Sequence, residues 1–390
     1  MTARSILLTG AAVWLAASLH SGAASAQGRY LIVGNDEKTQ NAPAGTSFRA
    51  PGNDSVSIID IAAPAQPRIV ISLPLMNGVQ GPPTNLQITP DGSLGLVANP
   101  VVMNQDGANW RPAPDNSLHV IDLTANPPRL IETITVGRQP SGLAIARDGR
   151  FALVANRASR SISVLAIEGR SVRQIAEVPV EDEAGSVAIT PDGKRAFITK
   201  NTMHRVGVLE IDGTTVTYDR TKDIATGIGV YTVEVTPDGR YALAANTGVQ
   251  GDGHVDTVSV IDATANPPRV IDNVTVGDGP EGLVISPDGR FAVAVLLQGS
   301  VAPHAAWSYT RNGSVRLVRI GPNGVLTALN ELPAGGLPEG GAFSPDSRFF
   351  YVANFLDRNL QVYRIDGETL VDTSVLLPLP GQPAAIRGRP

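Results

Sequence analysis

The sequence predicts an all-β fold: a seven-bladed β-propeller of four-stranded blades, its ring closed by pairing of the C-terminal strand with the N-terminal blade. Three observations predict it. First, a phrase repeats along the chain. Ile88-Thr-Pro-Asp-Gly-Ser-Leu-Gly-Leu-Val-Ala-Asn99 returns at Ile145–Asn156, Ile189–Asn201, Val235–Asn246, Ile285–Leu296 and Phe343–Asn354. A spacing of roughly 45–55 residues marks a radial or stacked repeat. Second, β-branched residues are dense and no segment holds a helical period, which places the chain in the all-β class. Third, the ends are complementary fragments. Arg29-Tyr-Leu-Ile-Val-Gly-Asn35 reads as a second strand lacking a first, and Gly381-Gln-Pro-Ala-Ala-Ile386 as a first strand lacking a second. Joining them removes the free edges that an open stack would leave.

The elements follow in order. Residues 1–26 read as a signal peptide. Arg4 precedes the apolar run Ile6–Leu19, which is short for a membrane span, and Ala24-Ser25-Ala26 supplies a small-residue cleavage signature. Residues 27–390 then form a single propeller domain with no transmembrane segment, in a periplasmic or secreted protein. Each blade is read as strands A to D. In the third blade, Gly137–Ile145 enters through a Gly/Pro turn as A, and Asp148-Gly149 turns the chain. Phe151–Asn156 is B, Ser161–Ile167 alternates polar and apolar as C, and Val172–Val178 is the outer D. Glycine supplies the positive φ of the tight turn while aspartate bonds the local backbone. The anchor recurs as Asp91, Asp148, Asp192, Asp238, Asp288 and Asp346. The remaining blade is the one split between the two ends.

Composition narrows the chemistry. There is no cysteine, and the formal net charge of −5 is spread along the chain. Disulfides, thiolate metal sites and cysteine nucleophiles are excluded. The lack of a basic block argues against nucleic acid as a partner. No Gly-x-Ser-x-Gly elbow, Walker sequence or zinc-protease motif is present, so catalysis would be acid–base or metal-assisted rather than covalent through serine.

The repeats resemble the YVTN-type β-propeller proteins. The naming motif stands here as Tyr351-Val-Ala-Asn354, Leu153-Val-Ala-Asn156 and Phe197-Ile-Thr-Lys-Asn201, with Ser/Thr-Pro-Asp-Gly turns and third strands such as Val258-Ser-Val-Ile-Asp262. The resemblance spans essentially residues 27–390 and implies the propeller fold. For function it leads to lactonase-like enzymes, to cell-surface proteins and to large subunits of some amine dehydrogenases, and fold alone does not choose among them.

Chain direction sorts the loops into two faces. D–A and B–C loops share the first face; the Asp-Gly turns and C–D loops share the second. Second-face connections are short and alike, which reads as structural. First-face B–C segments vary, with insertions at Asp36–Asn53, Pro100–Asn116, Thr247–Thr257 and Gln298–Gly313. Long irregular loops on a rigid scaffold are where binding and catalysis gather. His204, His254 and His304 fall in B–C segments of successive blades and are candidate ligands for a divalent metal ion, His304 also a candidate acid. His119 lies within a strand C and reads as structural. At the start of strand A, facing the channel mouth, the equivalent positions are Thr84, Ser141, Gly185, Tyr231, Glu281, Glu339 and Ala384. Glu281 and Glu339 come from matching Pro-Glu-Gly phrases on adjacent blades. Two such carboxyls push one pKa up and suit general acid–base work, with Tyr231 a neighbouring proton donor. Leu296 replaces the usual strand-B asparagine beside them, the one such break visible in the repeat. Trp110 and Trp307 offer aromatic faces, and Arg157, Arg205 and Arg311 could orient a carboxylate or phosphate.

Three functions follow as alternatives. One is a lactonase-like hydrolase or isomerase of a small organic acid or lactone, with Glu281, Glu339, His304 and Tyr231 as catalytic candidates. Another is a non-catalytic exported propeller that binds a protein, glycan or small-molecule partner on the loop-rich face. The third is an accessory subunit of a periplasmic dehydrogenase.

Overall fold

The computed structural model describes residues 29–42 and 45–390. The expected signal peptide lies outside the described residues. Seven sheets form a ring around a central channel, each ordered A-B-C-D, and no α-helix occurs among the described residues. Blade 1 joins the two ends of the chain. Its strand A is Gln382–Arg387, beside B (Tyr30–Asp36), C (Ser55–Asp60) and D (Arg68–Leu73). The pairing runs antiparallel from Ile32 opposite Arg387 to Asp36 opposite Gln382. The expected closure of the ring is therefore present.

The core lies between blades. Leu96 and Val120 of blade 2 pack with Leu143 and Val154 of blade 3. The closing blade uses the same device, with Leu31, Ile59 and Ile386 packed on Tyr351 and Val362 of blade 7. Each sheet is apolar on both faces because both are covered, so strand B reads as a continuous apolar run such as Phe151–Asn156.

The strand-B asparagine fastens each blade from within. Asn156 Nδ2 donates to Ser161 and Ser163 Oγ (3.2 and 3.0 Å), and Asn246 Nδ2 to Thr257 Oγ1 and Ser259 Oγ (3.0 and 2.9 Å). The repeat breaks here twice rather than once. Leu296 fills the position in blade 6, as the sequence indicated. In blade 4 the residue opposite Arg205 is Lys200, not Asn201. Lys200 is fully buried. Its Nζ lies 2.9 Å from Asp223 Oδ2 and 3.2 Å from Asp182 Oδ2, and it also meets the Tyr218 hydroxyl. To supply these partners, strand D of blade 4 splits into Thr215–Tyr218 and Ile224–Ala225 around the short turn Arg220–Lys222. Lys200→Met would leave Asp223 buried beside Asp182 with no cation. A loss of about 3–5 kcal/mol is expected, the range for removing one member of a buried ion pair, read by urea denaturation. An unchanged midpoint would show that water solvates the pair.

The insertions are more regular than their sequence suggests. Pro100–Asn116 is a ribbon that prolongs strands B and C of blade 2 (Leu94–Asp106 and Asn109–Asp122). In blade 1 the insertion carries a small hairpin, Thr39–Ala42 with Gly45–Phe48. The blade 5 and 6 loops interlock instead. Ser308 Oγ donates to the Gly251 carbonyl at 2.5 Å, and a side chain at Gly253 would strike the Trp307 indole.

Candidate functional site at the channel mouth

One backbone device aims the site. Strand A carries a bulge near its first-face end in blades 1, 3, 5, 6 and 7. Pro280 pairs with Leu296 and Gly282 with Val295, which leaves Glu281 as the extra residue; Tyr231 and Ala384 stand the same way. A bulge turns its side chain out of the ladder, and bulges gather at functional sites. The Pro-Glu-Gly phrase follows from this. Proline tolerates the first position of a strand, glutamate occupies the bulge, and glycine admits the next blade. A Cβ on Gly282 would come within 2.8 Å of the Glu339 carbonyl, and one on Gly340 within 3.0 Å of Pro83. Pro82 and Pro83 thus reach across the mouth, touching Gly185 on one side and Gly340 on the other.

Glu281 and Glu339 lie side by side, close enough for one carboxyl to donate to the other. Both are buried, at 7% and 3% exposure. Burial pushes Glu281 up to about 7, although Glu339, Arg157, Tyr231 and Gln250 each favour its charged form. Gln250 Nε2 donates to Glu281 Oε2 at 3.2 Å. Glu339 is raised well above the ordinary range, first by burial and then by the Glu281 charge. Glu339 therefore holds the proton and Glu281 is the member poised to ionise. One oxygen of Glu339 meets no donor, and neither does the buried Ser141 Oγ in the equivalent position of blade 3. Two orphaned polar atoms in one layer of the mouth are what a bound polar molecule would satisfy. Arg157 reaches in from the end of strand B of blade 3, its charge close to Tyr231 and its Nη2 3.3 Å from Glu183 Oε2. Arg157 and Tyr231 are half-buried and give the pair its outlet to solvent.

The pair makes stability depend on pH with a definite sign. Glu281 ionises at about 7 in the fold against an ordinary 4.5. Between those values the native state holds a proton that the unfolded chain has released, so this contribution to stability falls as pH rises. Glu339→Gln keeps a neutral hydrogen-bonding partner and is expected to flatten the decline in thermal midpoint between about pH 5 and 8. Parallel curves for wild type and variant would contradict the shared proton.

The other candidates are placed apart from this pair. Among the described residues no three histidine or acidic side chains converge on a point that could hold a metal ion. His204 Nδ1 accepts from the Gly229 N–H at 3.0 Å, exposed His254 pairs with Asp252 at 3.0 Å, and the His304 ring packs on Tyr309 at 4.2 Å. The reason is geometric: successive blades carry their B–C loops around the rim, not toward one centre. Arg311 is tied to Asp357, and Arg205 is exposed at the start of strand C of blade 4. Trp110 lies half-buried on the blade 2 ribbon rather than in a loop, and Trp307 is 83% exposed. His119 is buried between Thr133 Oγ1 (2.9 Å) and the Met76 carbonyl (3.1 Å), in the structural role expected. Sequence reading passed over Gln250 and the Pro82-Pro83 bridge. Gln250 carried no repeat signal, but a Pro-Pro pair immediately before a first-face strand was visible.

Residues 115–231 match the family model described as Lactonase, 7-bladed beta-propeller. That match and the ring of seven blades agree. The described chain is a seven-bladed propeller, and the lactonase-family match lies within blades 2 to 5 of it. Lactonase-type folds of similar shape include a candidate 6-phosphogluconolactonase of Bacteroides uniformis (TM-score 0.68, 17% identity, 92% of this chain and 99% of that one). The periplasmic gluconolactonase of Pseudomonas aeruginosa is another (TM-score 0.66, 20% identity, 92% and 98%). At such identities the likeness concerns the fold. Antigen Lp49 of Leptospira interrogans is 32% identical over 100 residues, which span 25% of this chain and 21% of that protein. Among the described residues of this propeller, no helix is long and apolar enough to cross a membrane.

Proposed function

We propose that the chain is an exported lactone hydrolase working at the channel mouth. The observation that carries this reading is the carboxyl pair Glu281–Glu339 with Arg157 and Tyr231 against it. Glu281, ionising near 7, accepts a proton from water as the water oxygen bonds to the lactone carbonyl carbon. A carboxylate has about four lone-pair directions, and Gln250 takes one of them at 3.2 Å, leaving room for that water. Arg157 and the Tyr231 hydroxyl face the oxyanion that develops. Collapse breaks the ring C–O bond, and the proton held by the pair goes to the departing alkoxide. The product is a hydroxy acid, whose carboxylate Arg157 can also hold. A small polyhydroxylated lactone suits the polar mouth, and the gluconolactonase named among the similar folds acts on that class. Export rests on the signal sequence read over residues 1–26.

The test is a hydrolysis screen of purified protein against glucono-δ-lactone, its 6-phosphate and γ-butyrolactone, with Glu281→Gln and His304→Ala beside wild type. Hydrolysis lost in Glu281→Gln and kept in His304→Ala is the expected result. Equal rates in all three proteins would remove the site assignment. One observation favours a binding role instead: Val249, Val255, Ile228 and Trp307 are all more than half exposed on first-face loops of blades 5 and 6. Absence of turnover on every lactone would give that reading precedence.

A further inference from the structure

The second face was expected to be purely structural, yet the channel opens there into a cavity of about 530 Å³. That volume falls within the ~300–1,000 Å³ usual for small-molecule sites. Its wall is built by the far ends of the same A strands that begin at the channel mouth. Ile145, Ile189, Val235, Ile285 and Phe343, one from each of five blades, supply an apolar ring. A strand rises about 3.3 Å per residue, so Ile285 lies on the order of 13 Å along the channel from Glu281. The two places are opposite ends of one tube.

The polar groups of this cavity are unevenly matched. Arg387 is neutralised: it pairs with Glu234, and its Nη1 donates to the Leu143 carbonyl at 3.0 Å. Arg147, at the rim, donates from Nη1 to the Pro237 carbonyl at 3.1 Å, a contact that leaves its charge uncompensated. Arg389 also lines the cavity, and its Nη2 is buried with no hydrogen-bond partner. Its neighbour Asp91 is engaged by Thr89 Oγ1 at 2.6 Å and by the Ser93 amide at 2.9 Å. Desolvation draws both Arg147 and Arg389 below the ordinary guanidinium value, and the Asp91 charge offsets this only in part for Arg389.

We infer that this cavity is a second ligand site, for an anion with an apolar body such as an alkyl or aryl carboxylate. The headgroup is held by Arg147 and Arg389, whose planar donors suit a carboxylate, and the hydrocarbon lies against the apolar ring. The site is independent of lactone hydrolysis and stands whether or not that reading does.

The test is calorimetric titration with octanoate, and with 1-octanol as the partner lacking charge. Wild type is expected to bind octanoate saturably and 1-octanol at least tenfold more weakly. Arg147→Gln and Arg389→Gln together should weaken octanoate at least tenfold, while Glu281→Gln binds as wild type does. Arg147 is exposed, so Arg147→Gln alone is expected to fold and to show part of the loss should the double variant prove unstable. No saturable binding, equal affinity for the alcohol, or octanoate binding unchanged in the folded arginine variants would overturn the assignment. Loss in Glu281→Gln would instead place octanoate at the channel mouth and overturn it equally.

Discussion

Removal of residues 382–390 is expected to open the ring and leave a chain that aggregates. Strand A of blade 1 would go, from Gln382 opposite Asp36 to Arg387 opposite Ile32. Ala384, Ala385 and Ile386, at most 2% exposed, would vacate the channel wall. Ile386 alone contributes about 1.5–3 kcal/mol by burial, and the backbone groups of Tyr30–Asp36 would lose their partners on one side. The summed loss is on the order of 5 kcal/mol or more, a large part of the ~5–15 kcal/mol that holds a folded protein together. An exposed apolar strand edge is also a template for intermolecular pairing. Size-exclusion chromatography and thermal melting of residues 29–381 against residues 29–390 measure both effects. A monomeric truncated protein with an unchanged midpoint would show that blades 2 to 7 and the three remaining strands of blade 1 close without the last strand. Ile386→Asp gives a milder check, since it keeps the backbone pairing and places a charge between Leu31 and Tyr351.

The fold was legible because it repeats. Six Asp-containing turns in one register constrain the strands between them, and the unmatched fragments Arg29–Asn35 and Gly381–Ile386 had one economical use. Twin Pro-Glu-Gly phrases were legible for the same reason: alignment on the turn brings Glu281 and Glu339 to one layer, and a ring makes adjacent blades adjacent in space. What escaped reading depended on side chains that leave the repeat. Lys200 displaces an asparagine by a single position, and only its burial with Asp182 and Asp223 exposes the shift. The histidines share a face but not a centre, because a face has a circumference as well as a hub. The second-face cavity was hidden by the very uniformity of its turns. Short, similar loops cover little of the channel end, so regularity in sequence leaves space in structure.

Glu281→Gln is expected to reduce kcat/KM for lactone hydrolysis by at least about 100-fold, the lower bound for loss of a positioned general base and equal to about 2.7 kcal/mol of transition-state stabilisation. The pH profile separates this from a structural effect. Glu281 must be ionised to accept the water proton, so wild-type activity should rise with pH through about 7 and level off above it. Glu281→Gln should lose that limb along with the rate. The groups that hold the carboxylate charge give the sign of further shifts. Tyr231, Gln250 and Arg157 each favour the ionised form of Glu281; withdrawing any of them should move the limb to higher pH. Gln250→Ala is the cleanest case, because Gln250 is exposed on the blade 5 loop and donates a single hydrogen bond of 3.2 Å to Glu281. Its removal should displace the limb toward alkaline pH while the plateau rate above it stays near wild type. A wild-type limb far from 7, or a Gln250→Ala profile superimposed on wild type, would mean that a different group accepts the proton. A plateau lost together with a limb moved to higher pH would add substrate binding to the role of Gln250 and leave Glu281 as the base.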